Sequence, residues 1–203
     1  MNRRSFLKAT TGVAATLANG MGWTRNMRAQ ATNEEEVVEI SLGAFYPIGR
    51  WYFDPIGIHI QPGQRVRWSG RKWGGSVTAF HPSHDNHELR IPEGARPFNS
   101  GILIEGDNPR ARFEWVFEVE GTYDYYSRRQ ERLGAVGRIV VGSPGGPGEE
   151  PIGYGESTGR ALIYPDVREV FSWLSSEKIV EQGVIPYPME RFGKTFPAQE
   201  SHF

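Results

Sequence analysis

Short apolar segments alternate with turns rich in glycine and proline between residues 37 and 142, and this pattern constrains the fold more than any other feature. Polar and apolar residues alternate over residues 65–68 and 112–119, as in strands with one buried face. Further strands are predicted at 37–42, 56–60, 76–80, 121–126 and 138–142. Several short strands with turns between them are typical of an all-β sandwich or barrel.

Composition narrows the classes of function. Hydrophobic residues make up 38% of the chain and aromatic residues 12%, which is enough for a packed core. The chain has no cysteine, so disulfides, thiolate metal sites and thiol nucleophiles are excluded.

Residues 1–31 have the layout of an export signal. Arg3 and Arg4 are followed by Ser-Phe-Leu-Lys, a mildly apolar stretch and the small-residue sequence Ala-Gln-Ala at 29–31. The start resembles a twin-arginine signal, which predicts a periplasmic or otherwise extracytoplasmic protein. The stretch is too short and polar for a good membrane span, so membrane attachment is expected only if the leader is retained.

The formal charge excludes one kind of partner. Five of the 23 basic residues and none of the 24 acidic ones lie in residues 1–31, so the rest of the chain has a net formal charge of −6. This mildly acidic chain lacks the basic surface that nucleic-acid binding requires, and no nucleic-acid partner is predicted.

Residues 143–159 are rich in glycine and proline, which predicts a linker between a β domain at 32–142 and an extension at 160–203. A helix is predicted to begin at Asp166 and to end at Gly183, with a break at Ser175-Ser176. One face of it is apolar, formed by Val167, Val170, Phe171 and Leu174.

Prolines 186, 188 and 197 predict irregular chain from residue 184 onward. This arm keeps several aromatic residues: Tyr187, Phe192, Phe196 and Phe203. Two interpretations stay open: the arm packs back on its own domain, or residues 184–203 dock on a protein partner, as exposed aromatic residues often do.

Two groups of segments resemble the cupredoxins, the blue copper proteins of the plastocyanin, halocyanin and pseudoazurin type. The first is Pro-Gly-Gln-Arg-Val-Arg-Trp at 62–68 with Val-Thr-Ala-Phe-His at 77–81. The second is Gly-Thr-Tyr-Asp-Tyr-Tyr-Ser at 121–127 with the strand ending Gly-Arg-Ile-Val-Val-Gly at 142. The resemblance implies an all-β, cupredoxin-like Greek-key β-sandwich with a C-terminal helical and irregular extension.

In that family a His follows the middle strand, and Cys, His and Met follow as C-x2-H-x4-M. Two imidazoles and a thiolate hold the copper, and a thioether lies on the axis. The resemblance places His81 at the first His, Ser127 at the Cys, Gln130 at the second His and Ala135 at the Met, with the spacing unchanged.

These substitutions predict a degenerate copper site and no bound cofactor. A serine hydroxyl and an amide are poor ligands for this centre, alanine supplies none, and Arg128 and Arg129 add positive charge. We therefore expect a non-enzymatic accessory subunit of a periplasmic or membrane-attached redox complex.

Three alternatives stay open. A non-blue copper or other divalent metal site could use His81, His84 and His87, whose spacing requires a loop to bring them together. Electron transfer as in the family would need a ligand from elsewhere. Hydrolysis by Ser127 with His81 as base would need an orienting third group, which the sequence does not identify.

Overall fold

The computed structural model describes residues 37–45, 49–70, 74–85, 87–103, 111–154 and 165–192. The predicted leader at 1–31 and the aromatic residues Phe196 and Phe203 lie outside the described residues. The described residues all belong to one compact unit.

Within these residues, nine strands form two sheets that pack as a β-sandwich, as the alternating pattern predicts. The strands are β1 (Val38–Phe45), β2 (Arg50–Asp54), β3 (Gly57–Ile60), β4 (Arg65–Ser69), β5 (Thr78–Ala79), β6 (Arg112–Val116), β7 (Gly121–Tyr126), β8 (Val136–Val141) and β9 (Val184–Ile185). The first sheet has the order β2-β1-β4-β6 and the second β5-β7-β8-β3-β9. Both sheets are mixed, because β1 pairs parallel with β4 and β3 with β8.

The space between the sheets holds an aromatic core. In β4 the apolar residues Val66 and Trp68 are buried, and the residues between them point outward, because successive side chains of a strand face opposite sides. Trp68 lies 5.6 Å, ring centroid to centroid, from Tyr125 of β7 and 5.9 Å from Phe98. This core packs against the strands whose ends hold the candidate site.

The C-terminal extension confirms the predicted helix and its break. Helix α1 (Pro165–Trp173) is followed by α2 (Ser176–Gln182), and Ser175 caps α2 by accepting a hydrogen bond from the backbone N–H of Lys178. Gly183 ends α2 in the left-handed region, at φ 74°. The predicted apolar face is buried in a second core on the outer side of the β7–β8 sheet.

The arm after Gly183 is more regular than the prolines predict, and that prediction is wrong for two short elements. Strand β9 pairs antiparallel with β3, and α3 (Met189–Phe192) begins directly after Pro188, where a missing backbone N–H costs least. Tyr187 and Phe192 are buried in the second core, so these two aromatic residues pack on their own domain.

The segment predicted as a linker is described over residues 143–154, and it packs on the sandwich. Backbone N–H of Thr122 donates to the carbonyl of Gly145 at 2.9 Å. Glu149 accepts hydrogen bonds from Thr122 Oγ1 and, at 2.5 Å, from Ser176 Oγ. The segment therefore joins β7 to α2 through polar contacts that glycine and proline content does not reveal.

In the described part of the chain, no helix combines the length and the apolar character that crossing a membrane requires.

Candidate functional site

The position predicted to replace the copper thiolate lies directly after β7. Side chains alternate along this strand, so Ser127 shares the inner face with Tyr125, whereas Tyr126 faces the second core. Ser127 is completely buried. Its hydroxyl thus lies inside the sandwich, at the end of the aromatic core.

Ser127 and Gln130 form a closed hydrogen-bond network. Ser127 Oγ donates to Oε1 of Gln130 at 2.6 Å and accepts from the backbone N–H of Ser76 at 3.0 Å. Nε2 of Gln130 donates to the carbonyl of Gly74 at 2.9 Å. The side-chain oxygens and the amide nitrogen are therefore bonded to protein groups, as buried polar atoms require.

Ala135 completes the turn that carries these residues. The backbone N–H of Ser127 donates to the carbonyl of Ala135 at 3.0 Å, and Ala135 is fully buried in the sandwich core. Between them, Glu131–Leu133 forms a 3₁₀ turn that ends at Gly134, whose φ of 86° suits glycine. The structure thus brings together three positions that the sequence places at one site.

The chain entering β5 closes the site on the opposite side. A Cβ atom added to Gly75 would lie 3.3 Å from Ser127 Oγ and only 2.1 Å from Cδ2 of Leu42. Leu42 is itself buried, so its side chain fills the space next to the glycine. The sequence did not mark Gly74, Gly75 and Ser76 as site residues, although two glycines before a predicted strand are a signal of close backbone approach.

His81 does not lie beside Ser127. Strands β5 and β7 pair antiparallel with Thr78 opposite Tyr126, so the register places residue 77 opposite Ser127. The pairing continues past β5, because the backbone N–H of Phe80 donates to the carbonyl of Asp124 at 3.0 Å. His81 therefore lies four residues beyond residue 77, which is about 13 Å at the spacing of an extended chain. Its Nδ1 lies 2.7 Å from Oγ of Ser83 instead. The expected approach of His81 to Ser127 is wrong, and with it the Ser–His pair needed for hydrolysis.

His84 and His87 also take separate roles. The rings of His81 and His84 are 6.1 Å apart, but His87 lies against Phe80 and Tyr126 and places Nε2 3.2 Å from Glu131. The described residues, which omit Asn86, contain no group of three or more His, Cys, Asp or Glu placed to hold a metal ion. The three histidines are therefore not assembled into one site there.

Arg128 points away from the buried network. Because it follows Ser127, it lies on the outer side, where it forms an ion pair with Asp85. Burial alone would raise the pKa of Asp85, but hydrogen bonds from Arg128 and Tyr126 outweigh burial and hold that pKa below its usual range. The expected repulsion of a cation by Arg128 is thus weakened by a neighbouring carboxylate. Arg129 is exposed.

These residues do not fit a type 1 copper ion. Such a centre requires two imidazoles and a thiolate in one plane. The buried network offers a hydroxyl, an amide and a methyl group, and its oxygens are already hydrogen-bonded. Gly75, across from Ser127, has no side chain to offer, and Leu42 occupies the space that a side chain there would need.

A second buried polar cluster, which was not predicted from the sequence, connects the extension to the sandwich. Asp124 is completely buried and accepts hydrogen bonds from Nε of Arg90 at 2.8 Å and from Nε of Arg138 at 2.7 Å. Both arginines also donate to the carbonyl of Gly148. Arg138 further donates to the carbonyl of Leu174, after α1. Its members are distant in sequence, so no local motif marks it.

Comparison with known proteins finds similarity to solved structures only. No protein-family model matches the chain, and no curated protein matches it in sequence. Among solved structures, the pseudoazurin from Methylobacterium extorquens AM1 matches over 72% of this chain and 99% of its own, with 15% identity and a TM-score of 0.48.

Two further solved structures are similar over about half of this chain. The purple cupredoxin from Nitrosopumilus maritimus is 24% identical, with 52% of this chain and 99% of its own covered and a TM-score of 0.38. The plastocyanin from Dryopteris crassirhizoma is 20% identical, with 52% and 100% covered and a TM-score of 0.39. At these identities the likeness concerns fold alone. In fold, the chain is a cupredoxin-like β-sandwich with a C-terminal helical extension.

Proposed function

We propose that this chain is an exported protein that uses a cupredoxin-like fold without type 1 copper, as a non-catalytic binding subunit of a periplasmic or membrane-attached redox complex. The observation that carries the proposal is the network of Ser127 and Gln130, in which hydrogen bonds occupy the atoms that would otherwise face a metal. Leu42 fills the adjoining space.

The same network argues against catalysis at this site. A serine nucleophile needs a neighbouring base that removes its proton. The hydroxyl of Ser127 instead donates to a neutral amide oxygen, and its register keeps it apart from His81. Ser127 is also completely buried, so a substrate has no access without rearrangement of the site.

A binding role is supported by how firmly the sandwich and its extension are joined. Asp124 holds two buried arginines, and these bind carbonyls of the segment after β8 and of the chain after α1. A stiff domain loses little conformational entropy on association. The twin-arginine-like leader supports export in the folded state, which suits a subunit that leaves the cytoplasm with a cofactor-bearing partner.

The test is isolation of the full chain, at its natural level of expression, from the membranes and the extracytoplasmic fraction of its source. We expect it to migrate with a larger assembly on native gels and during sedimentation, and to lose that assembly at high salt or in detergent. Recovery only as a free monomer from both fractions would contradict the proposal. Stoichiometric copper in the isolated chain would contradict it independently.

A further inference from the structure

Two cations lie near the aromatic ring of Trp173, where α1, α2 and α3 approach one another. Nζ of Lys178, on α2, lies 3.3 Å from the ring centroid of Trp173, at the end of α1. The guanidinium carbon of Arg191, on α3, lies 5.9 Å from the same centroid. Trp173 and Lys178 are half-buried and Arg191 is exposed. We call Trp173, Lys178 and Arg191 the cation cluster.

The charges of the cation cluster lack a counter-ion within the described part of the chain. The buried and half-buried arginines elsewhere, such as Arg90 and Arg138, have carboxylate partners. No carboxylate of the described residues forms an ion pair with Lys178 or Arg191. Burial and then the charge of Arg191 lower the pKa of Lys178. The two positive charges repel each other, and an anion that contacts both of them offsets this repulsion.

The spacing suits a small anionic group. The two distances to one ring centroid place the charges within about 9 Å of each other. One or two carboxylates can span such a gap through charge-assisted hydrogen bonds of about 2.8 Å. The ring of Trp173 adds an apolar surface on which the methylene groups of an acidic side chain can pack.

The surroundings favour a protein over a lipid surface. Glu177, Glu181 and Glu190 are exposed neighbours of the cation cluster in sequence. These carboxylates repel an extended anionic surface, whereas an isolated acidic side chain needs contact with the two cations only. The local charge pattern thus matches an acidic projection on a partner protein.

We infer that the cation cluster docks an acidic side chain of a protein partner, with carboxylate oxygens accepting from Lys178 and Arg191. The inference rests on the proposed binding function and names the contact through which the subunit would engage its partner. It assigns the recognition to α1, α2 and α3, at the base of the arm that contains Tyr187 and Phe192.

The test is a titration of the full chain followed by the NMR resonance of the Trp173 indole N–H, assigned with Trp173→Phe. The probe is a blocked Gly-Glu-Glu-Gly peptide, and the same peptide with glutamines is the control. We expect a saturable shift with the glutamate peptide only. Its Kd should rise about fivefold to tenfold in Lys178→Gln/Arg191→Gln, as losing two surface charge contacts implies.

Two variants act as controls for this titration. Arg112→Gln removes an exposed charge from β6, in the other sheet, and should leave the Kd within about twofold. The single variant Arg191→Gln keeps the contact of Lys178 with Trp173, so it tests the cluster even if the double variant fails to fold. It should show an intermediate loss.

Four outcomes would overturn the inference. They are the absence of a saturable shift, an unchanged Kd in a folded Arg191→Gln or double variant, an equal response to inorganic phosphate, and binding to phosphatidylglycerol vesicles that the double variant loses. The last would identify a lipid surface instead. The copper content of the same samples tests the proposed function separately from the docking inference. Bound copper would contradict the proposed function and would leave the peptide result unchanged.

Discussion

Ser127 donates a 2.6 Å hydrogen bond to Gln130, and both side chains are buried at the end of β7. The same hydroxyl accepts from the backbone N–H of Ser76, which belongs to the chain entering β5. One serine thus links two segments that lie 51 residues apart in sequence. Its role in the structure is to hold the site closed.

This relationship predicts the effect of Ser127→Ala. The substitution leaves Oε1 of Gln130 and the backbone N–H of Ser76 unpaired in a buried place, so the free energy of unfolding should fall by about 2 kcal/mol. Urea unfolding measures this. Ser172→Ala, on the exposed side of α1, is the matched control and should change stability by less than about 0.5 kcal/mol. If both variants lowered the free energy of unfolding by equally small amounts, the network around Ser127 would not be closed.

Asp124→Asn tests the buried charge cluster. The variant leaves Arg90 and Arg138 with less negative charge beside them, and breaking a buried pair in this way costs about 3–5 kcal/mol. The control is Glu114→Gln, which removes an exposed partner of Arg67 and should have little effect. Similar urea midpoints for the two variants would contradict the assignment of Asp124 as the central buried carboxylate.

Phe192→Ala tests whether the arm belongs to the fold. Phe192 is 2% exposed and packs edge-on against Trp173 at 5.4 Å, so its loss should cost about 3–5 kcal/mol of stability. Ile102→Ala, at a side chain that is 52% exposed, should stay within about 0.5 kcal/mol of the unmodified protein. If Phe192→Ala unfolds at the same denaturant concentration as the unmodified protein, the aromatic residue is not part of the core in solution.

The ion pair of Asp85 with Arg128 predicts that the protein loses stability in acid. The pKa of Asp85 in the folded state lies below the usual value, despite burial, because Arg128 and Tyr126 donate hydrogen bonds to it. The ionised carboxylate therefore contributes stability above the unfolded-state pKa of about 4, and this contribution disappears as the pH falls through the folded-state pKa.

The measurement is the free energy of unfolding of the unmodified protein and of Asp85→Asn from about pH 6 to about pH 2.5. The unmodified protein should lose more stability over this range, and the two curves should converge at the acid end. Curves that stay parallel would show that Arg128 does not favour the ionised form of Asp85.

Local sequence patterns predict much of this fold, because a strand with one buried face imposes a period of two on its own residues. β4 and β7 follow their predicted limits closely. The break between α1 and α2 follows from Ser175, and the end of α2 follows from Gly183. β2 was not predicted. Its five residues are led by a buried arginine, Arg50, which forms an ion pair with Asp166 of α1.

The candidate site was only partly predictable, for a physical reason. Ser127, Gln130 and Ala135 lie on one turn, so their spacing alone brings them together. The position of His81 depends on the pairing of β5 with β7, and a shift of a few residues in register moves a side chain by more than 10 Å. The chain next to Ser127, where a copper ligand would be needed, carries Gly74 and Gly75, which have no side chains.

The most direct test of the central claim is the copper content and absorption spectrum of the full chain refolded with one equivalent of Cu(II) and then desalted. The closed network of Ser127 and Gln130 predicts copper far below one equivalent and no intense visible band. Stoichiometric copper with an intense visible band would contradict the claim, because it would require a strong donor set at a site where the structure places a hydroxyl, an amide and a methyl group.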